Sequence, residues 1–166
     1  MTEDATASLV DVVLLDIPID LRQRSQQHSD ELVREMTLIA LQIREGDGDA
    51  LPVRLSELVA EVQQTYGAFS ARPDAELDEA AARGDEVVSR VVYSVPRDVG
   101  PFARHLIEIL EETDEFCREG AYLLALASPP DIHAYRIWAL REFERQIAGE
   151  QATSWPDYAR RNGIDG

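Results

Sequence analysis

The sequence predicts an α+β fold, predominantly helical, with about four main helices packed on a two-stranded β-sheet. Three observations carry this reading. Two runs rich in Val, Leu and Ile each end at a proline, as strands do where the backbone loses a donor. Between and after them, apolar residues recur at helical spacing over long stretches. The composition, 45% hydrophobic and 29% charged, is that of a chain able to build a core, and 166 residues suit one domain.

The elements follow in order. Residues 1–8 are polar and read as a disordered N-terminus. Residues 9–18 read as a strand closed by Pro18, after which Asp20 is placed to cap a long helix. Leu21, Ser25, His28, Leu32, Met36, Ile39 and Ile43 form that helix's inner stripe. "EGDGDALP" (45–52) is a loop, and 53–66 is a second helix striped by Leu55, Leu58, Val59, Val62 and Tyr66. A break is expected from Gly67 to Pro73, then a short helix over 74–84 capped by Asp74 and stopped by Gly84.

Residues 86–95 read as the second strand, ending at Pro96. Asp98 is then placed to cap a helix through Glu119 whose inner face is Phe102, Leu106, Ile109, Leu110, Thr113 and Cys117. The apolar segment 121–130 fits a helix or a short strand. A last long helix covers 130–148, with Ile132, Tyr135, Ala139, Phe143 and Ile147 inward and Gly149 as its stop. The domain thus spans 9–149, and 150–166 is a polar C-terminal tail in which Trp155 and Tyr158 can anchor onto the body. The two strand ends echo each other: "LLDIPIDL" (14–21) aligns with "VYSVPRDV" (92–99), which predicts two strands side by side with helices on one face. Two strands alone leave free edges, so a homodimer that adds strands is an expectation.

Charge narrows the function. The net charge is −16, and all 16 positive residues are Arg, because the chain has no Lys. A duplex-binding protein needs a basic stripe; here Arg22/Arg24, Arg136/Arg141/Arg145 and Arg160/Arg161 each have acids nearby, so nucleic acid and anionic membranes are not expected partners. The apolar run near the N-terminus is broken by Asp11 and Asp16 and falls short of the roughly 20 residues of a membrane span. An acidic first segment and the single cysteine, Cys117, point to a cytoplasmic setting without disulfides.

Candidate chemistry is sparse. His28-x-x-Glu31 and His105-x-x-Glu108 put a histidine and a carboxylate on one helix face, a spacing that can hold metal, but Glu31 and Glu108 fall off the apolar stripes. Glu111, Glu112, Asp114 and Glu115 read as a solvated charge run. Ser25 shares a stripe with His28 but lacks an evident acidic orienter, and no G-x-S-x-G elbow is present. Neither a phosphate-binding loop nor a dinucleotide fingerprint occurs. A strand, a proline and a helix over "VVYSVPRDVGPFARHLIEIL" look like the opening of anti-sigma-factor kinase domains, but the Asn-bearing box and the D-x-G-x-G turn are missing. No catalytic, metal or cofactor residues are therefore assigned. Trp138, Arg141 and Arg145 on the last long helix, with Trp155 in the tail, are the candidate interaction residues, since Trp and Arg are favoured at interfaces; the competing reading puts Trp138 in the core.

Nearly the whole chain resembles a family of small acidic proteins of high-GC actinobacteria. The resemblance rests on "DVVLLDIPIDL", a following helix with His28, Asp30, Glu31, Leu32, Arg34 and Glu35, a closing Trp138-Ala-Leu-Arg-Glu-Phe with Gln146 and Gly149, and "SWPDY". Members are encoded beside anti-sigma kinases, their antagonists and matching phosphatases. The resemblance implies a place in partner-switching control of transcription and no particular activity; with the acid excess and the missing catalytic set, the expectation is a non-enzymatic interaction module in sigma-factor signalling, with an anti-sigma factor or its antagonist as partner. The alternative is a sensor that binds a small ligand or metal in a pocket between helices, lined by His28 and His105.

Overall fold

The computed structural model describes residues 8–43, 50–120 and 126–164. Strand β1 (Leu9–Pro18) leads into α1 (Ile19–Gln42) and α2 (Leu51–Arg83); strand β2 (Val87–Pro96) leads into α3 (Val99–Glu119), α4 (Pro130–Ile147) and α5 (Trp155–Arg161). The architecture is α+β and predominantly helical, as expected. The strands form an antiparallel pair from Leu9↔Pro96 to Pro18↔Val87, and Ile19 N–H extends the ladder by donating to Glu86 C=O at 3.0 Å.

One face of the sheet is the core face. Val12 and Leu14 of β1 and Val91, Tyr93 and Val95 of β2 are buried, with Ile17 after them. Strict alternation would turn Asp16, not Ile17, inward; Asp16 instead takes φ +54 and shifts the alternation by one residue. Aspartate tolerates this left-handed conformation better than most residues.

The chain repeats a strand–helix–helix unit. α1 packs along α2 and α3 along α4, while α2 covers β2 and α4 covers β1, so each unit's second helix lies on the other unit's strand. Two apolar clusters result. One joins the sheet to α4, α5 and the C-terminal half of α2 around Trp138, Leu77 and Tyr135. The other joins α1, α2 and α3 around Leu32, Met36, Leu55, Leu58, Ile109 and Cys117. Ion pairs bridge neighbouring helices on the outside: Arg54–Glu112 at 3.0 Å, Arg104–Glu144 at 2.6 Å and Arg24–Asp131 at 2.7 Å. Such exposed pairs contribute ~0–1 kcal/mol each.

Several expectations are corrected. The break at Gly67–Pro73 does not occur: α2 runs through both residues, and Asp74 lies mid-helix rather than capping a separate one. An interior proline costs about 3 kcal/mol in an isolated helix; here Pro73 is itself buried, on a helix that also buries Leu77 and Ala80, so packing offsets the cost. The stop at Gly84 holds, with φ +82 that glycine alone adopts freely. Asp20 is inside α1, not its cap, because the helix begins directly after Pro18, and it pairs instead with Arg24 at 3.0 Å. Asp98 does occupy the cap position of α3 but makes no side-chain capping bond. Residues 150–166 contain α5, capped by Ser154 Oγ accepting from Asp157 N–H, and its Trp155 is 8% exposed, so that stretch is part of the body. The expected disordered terminus lies outside the described residues except at Ser8, as do most of the 45–52 loop and residues 121–125 of the undecided segment.

The outer edge of β1 is closed by a side chain. Gln146 of α4 accepts from Val13 N–H at 2.9 Å and donates to Val13 C=O at 2.8 Å, imitating a neighbouring strand. Gln146 also donates to Glu142, which is 1% exposed and further accepts from Arg145 at 2.5 Å and from Thr153 N–H at 2.9 Å. Removing one member of such a buried ionic network leaves uncompensated charge. Glu142→Leu should therefore lower the unfolding free energy by about 3–5 kcal/mol, and Gln146→Leu by about 1–3 kcal/mol, both read by urea denaturation.

Candidate functional site

Open clefts run between α1, α2, α3, α4 and the sheet. Arg22, Ser25 and Ser29 follow one face of α1 at spacings of three and four residues. They meet Asp74 and Asp78 from α2, Tyr93 from β2, and Tyr135, Ala139 and Phe143 from α4 around a cavity of about 480 Å³. A second cavity of about 540 Å³ shares Ser29, Asp30, Tyr135 and Ala139 with it and continues among Leu32, Leu55, Leu106 and Leu110. A third, of about 210 Å³, shares Tyr93 and Phe143 with the first and is lined by Val62, Tyr66, Phe69 and Phe102. Concave, largely apolar spaces of roughly 300–1,000 Å³ with a few convergent polar groups are the usual form of ligand sites.

The polar groups are concentrated at the first cavity. The Arg22 side chain is 6% exposed; its Nη1 donates to Asp78 at 2.8 Å, while Nη2 makes no hydrogen bond and lies 3.8 Å from Asp74 Oδ1. Tyr93 donates its hydroxyl to Asp74 at 3.0 Å. Burial pushes the Tyr93 phenol well above its ordinary value, with the Asp74 charge adding to the effect. Burial likewise pushes Tyr135 up to about 12, against the opposing influence of Arg22. Both tyrosines are therefore protonated donors at neutral pH. The Tyr135 hydroxyl has no partner in the hydrogen-bond network of the described residues. The group can bind, orient and hydrogen-bond a ligand; it pairs no serine or cysteine with a base.

A second polar cluster lies at the α1–α3–α4 junction. Asp114, 4% exposed, accepts from Ser128 N–H at 2.6 Å and from Arg118 at 2.6 Å, and His133 lies 3.7 Å away. Arg136 donates to Ser128 Oγ at 3.2 Å and meets His28 Nδ1 at 3.0 Å. Burial, then the Arg136 charge, lowers the His28 pKa. Asp114 thus departs from the solvated run expected over 111–115: it holds a turn after 125 and lies one residue from the buried Thr113 and three from Cys117. Burial raises the Cys117 thiol to about 11, so it is a neutral core group.

The residues singled out from sequence are dispersed. His105 is more than half exposed and lies 3.7 Å from Glu108 on the surface, while His28 faces Arg136; neither lines the three interhelical cavities. Among the described residues no group of three or more His, Cys, Asp or Glu is placed to hold a metal ion. Trp138 is fully buried and donates Nε1–H to Thr153 C=O at 2.9 Å. Trp155 packs edge-on against it at 5.7 Å, and Arg145 ties Glu142 to Glu150 and Thr153. Three of the four candidate interaction residues therefore pin α5 to α4 inside the molecule, and Arg141 alone is exposed. Arg22, Asp74, Tyr93 and Tyr135 were not grouped by sequence reasoning; the available signal was Arg22 beside Leu21 and one turn before Ser25 on an otherwise apolar stripe. No described helix is long and apolar enough to cross a membrane.

Set against known proteins, the chain matches no family model, no curated protein and no solved structure.

The lowered His28 pKa has a signed consequence. The unfolded chain, with an ordinary histidine near 6.5, binds the proton first as pH falls. Stability from this group is complete above that value and declines below it until the folded pKa is reached. Urea unfolding between pH 7.5 and about 5 should show the native chain losing more stability than a His28→Gln variant.

Proposed function

We propose that this chain is a non-enzymatic binding module that takes a small organic ligand in the interhelical cavities. The observation that carries this reading is a buried arginine, Arg22, whose Nη2 is left unpaired on the wall of a cavity between α1, α2 and α4 that Tyr135 also lines. Closed packing would normally fill such a space or pair such groups. The absence of a nucleophile–base pair along the walls supports binding over catalysis. A single buried thiol suits a cytoplasmic setting. Ligand-observed NMR of a fragment collection should find binders for the native chain. Ala139→Phe, which places a ring in the wall shared by two cavities, should abolish their signals while the far-UV circular dichroism is unchanged. A native chain that binds no fragment overturns the reading.

A second reading, favoured by a separate observation, is docking onto a regulator of a sigma-factor partner switch, either an anti-sigma factor or its antagonist. Leu38 and Leu41, one turn apart on α1, are 49% and 77% exposed. The acid excess would steer a basic partner toward them. A homodimer belongs to this reading; strand addition would use β2, because Gln146 occupies the β1 edge at Val13. Leu38→Glu with Leu41→Glu should abolish co-purification of such a regulator without lowering the melting temperature, and retained co-purification counts against this surface.

A further inference from the structure

We propose that the cavity at Arg22, Asp74 and Tyr135 binds a zwitterionic α-amino acid with an apolar side chain; the proposal rests on the ligand-cavity reading above. The argument is one of charge balance and shape. The walls carry one cation, Arg22, and three carboxylates, Asp30, Asp74 and Asp78. Only Asp78 is in direct contact with the guanidinium, at 2.8 Å. Asp30 makes no ion pair or side-chain hydrogen bond within the described residues, and it borders two cavities at once. Asp74 Oδ1 receives the Tyr93 hydroxyl.

An anionic ligand would face three carboxylates and one arginine already hydrogen-bonded to one of them, Asp78. Taking a charge out of water against an unbalanced field is costly. A plain amine would satisfy the carboxylates but leave the donors of Arg22 and Tyr135 without an acceptor. A molecule carrying both charges adds no net charge to the cavity and meets each set. Its carboxylate accepts from the Tyr135 hydroxyl and the guanidinium, a charge-assisted geometry that arginine favours. Its ammonium donates to Asp74 and Asp30. Arg22 Nη2 is shielded from solvent beside Asp74; contact with it requires the Asp74 carboxylate to move, and a ligand ammonium supplies the attraction that moves it.

The apolar side chain has a place next door. The 210 Å³ cavity lies across the Tyr93 and Phe143 wall that it shares with the polar one, and is further walled by Val62, Tyr66 and Phe102. Tyr66 and Phe102 meet edge to face at 5.2 Å, and Tyr93 and Phe143 at 5.3 Å, so the pocket is aromatic on two sides. This arrangement favours leucine- or phenylalanine-like side chains over polar ones.

The test is isothermal titration of the full chain with L-phenylalanine and L-leucine, with phenylpropionate (no amine), phenethylamine (no carboxylate) and indole as an uncharged apolar probe. The amino acids should bind at least about tenfold more tightly than either truncated analogue. Tyr135→Phe, which removes one hydroxyl and keeps the ring, and Asp30→Asn, at an exposed position, should each weaken the amino acids about tenfold while leaving indole unchanged. Equal affinity for amino acids and truncated analogues overturns the zwitterion proposal but leaves the cavity standing, as does binding of indole alone. Failure of every probe, indole included, removes the cavity reading and this proposal together.

Discussion

The pairing of β1 with β2 is the constraint on which the rest of the structure depends. The strands belong to different strand–helix–helix units, so the ladder joins the two halves of the chain. Two strands cannot satisfy their own edges, and buried backbone groups must find partners. The N–H and C=O of Val13 find theirs in Gln146, which places α4 against β1. Gln146 in turn orients Glu142, and Glu142 accepts from Arg145 and the backbone of Thr153. The chain after α4 is thereby drawn back over the sheet, where Trp155 seats against Trp138 and Tyr135. A side chain that substitutes for a strand thus organises the C-terminal part of the chain.

The exchange of second helices between the units has a packing consequence. α2 must reach β2 and α4 must reach β1, so the four long helices surround a centre that neither apolar cluster fills. Arg22 and Tyr135 stand at that boundary. The cavity is thus a by-product of topology that chemistry can exploit. The polar cluster at Asp114 closes the turn between α3 and α4, where loop backbone must be satisfied, while Arg136 Nε and His28 Nε2 beside it stay unpaired.

Much of the fold is legible from local patterns. Both strands, the prolines that end them, the Gly84 stop and the inner face of α1 follow from periodicity and backbone stereochemistry, as does the Ile109–Thr113–Cys117 line of α3, whose buried Ala103 and Ile107 fall outside the expected stripe. The misreadings share one cause. Gly67 and Pro73 are helix breakers in isolation, yet a helix buried along one face outweighs them. Asp20 and Asp74 have the composition of caps, but the ladder continuing into Ile19 and the Tyr93 hydroxyl claim those positions. Asp114 reads as one acid among several, and its burial depends on a turn that arrives fourteen residues later. Trp138 and Arg145 carry interface composition in a helix whose tail folds back to cover them.

What the sequence determined by itself is the set of elements, because strand and helix periods, proline and glycine act over a few residues. Only the tertiary structure decided which polar residues converge. Arg22, Asp74, Tyr93 and Tyr135 lie on four different elements, and no local pattern relates them. Their meeting is a result of strand register and helix exchange, which are properties of the whole chain.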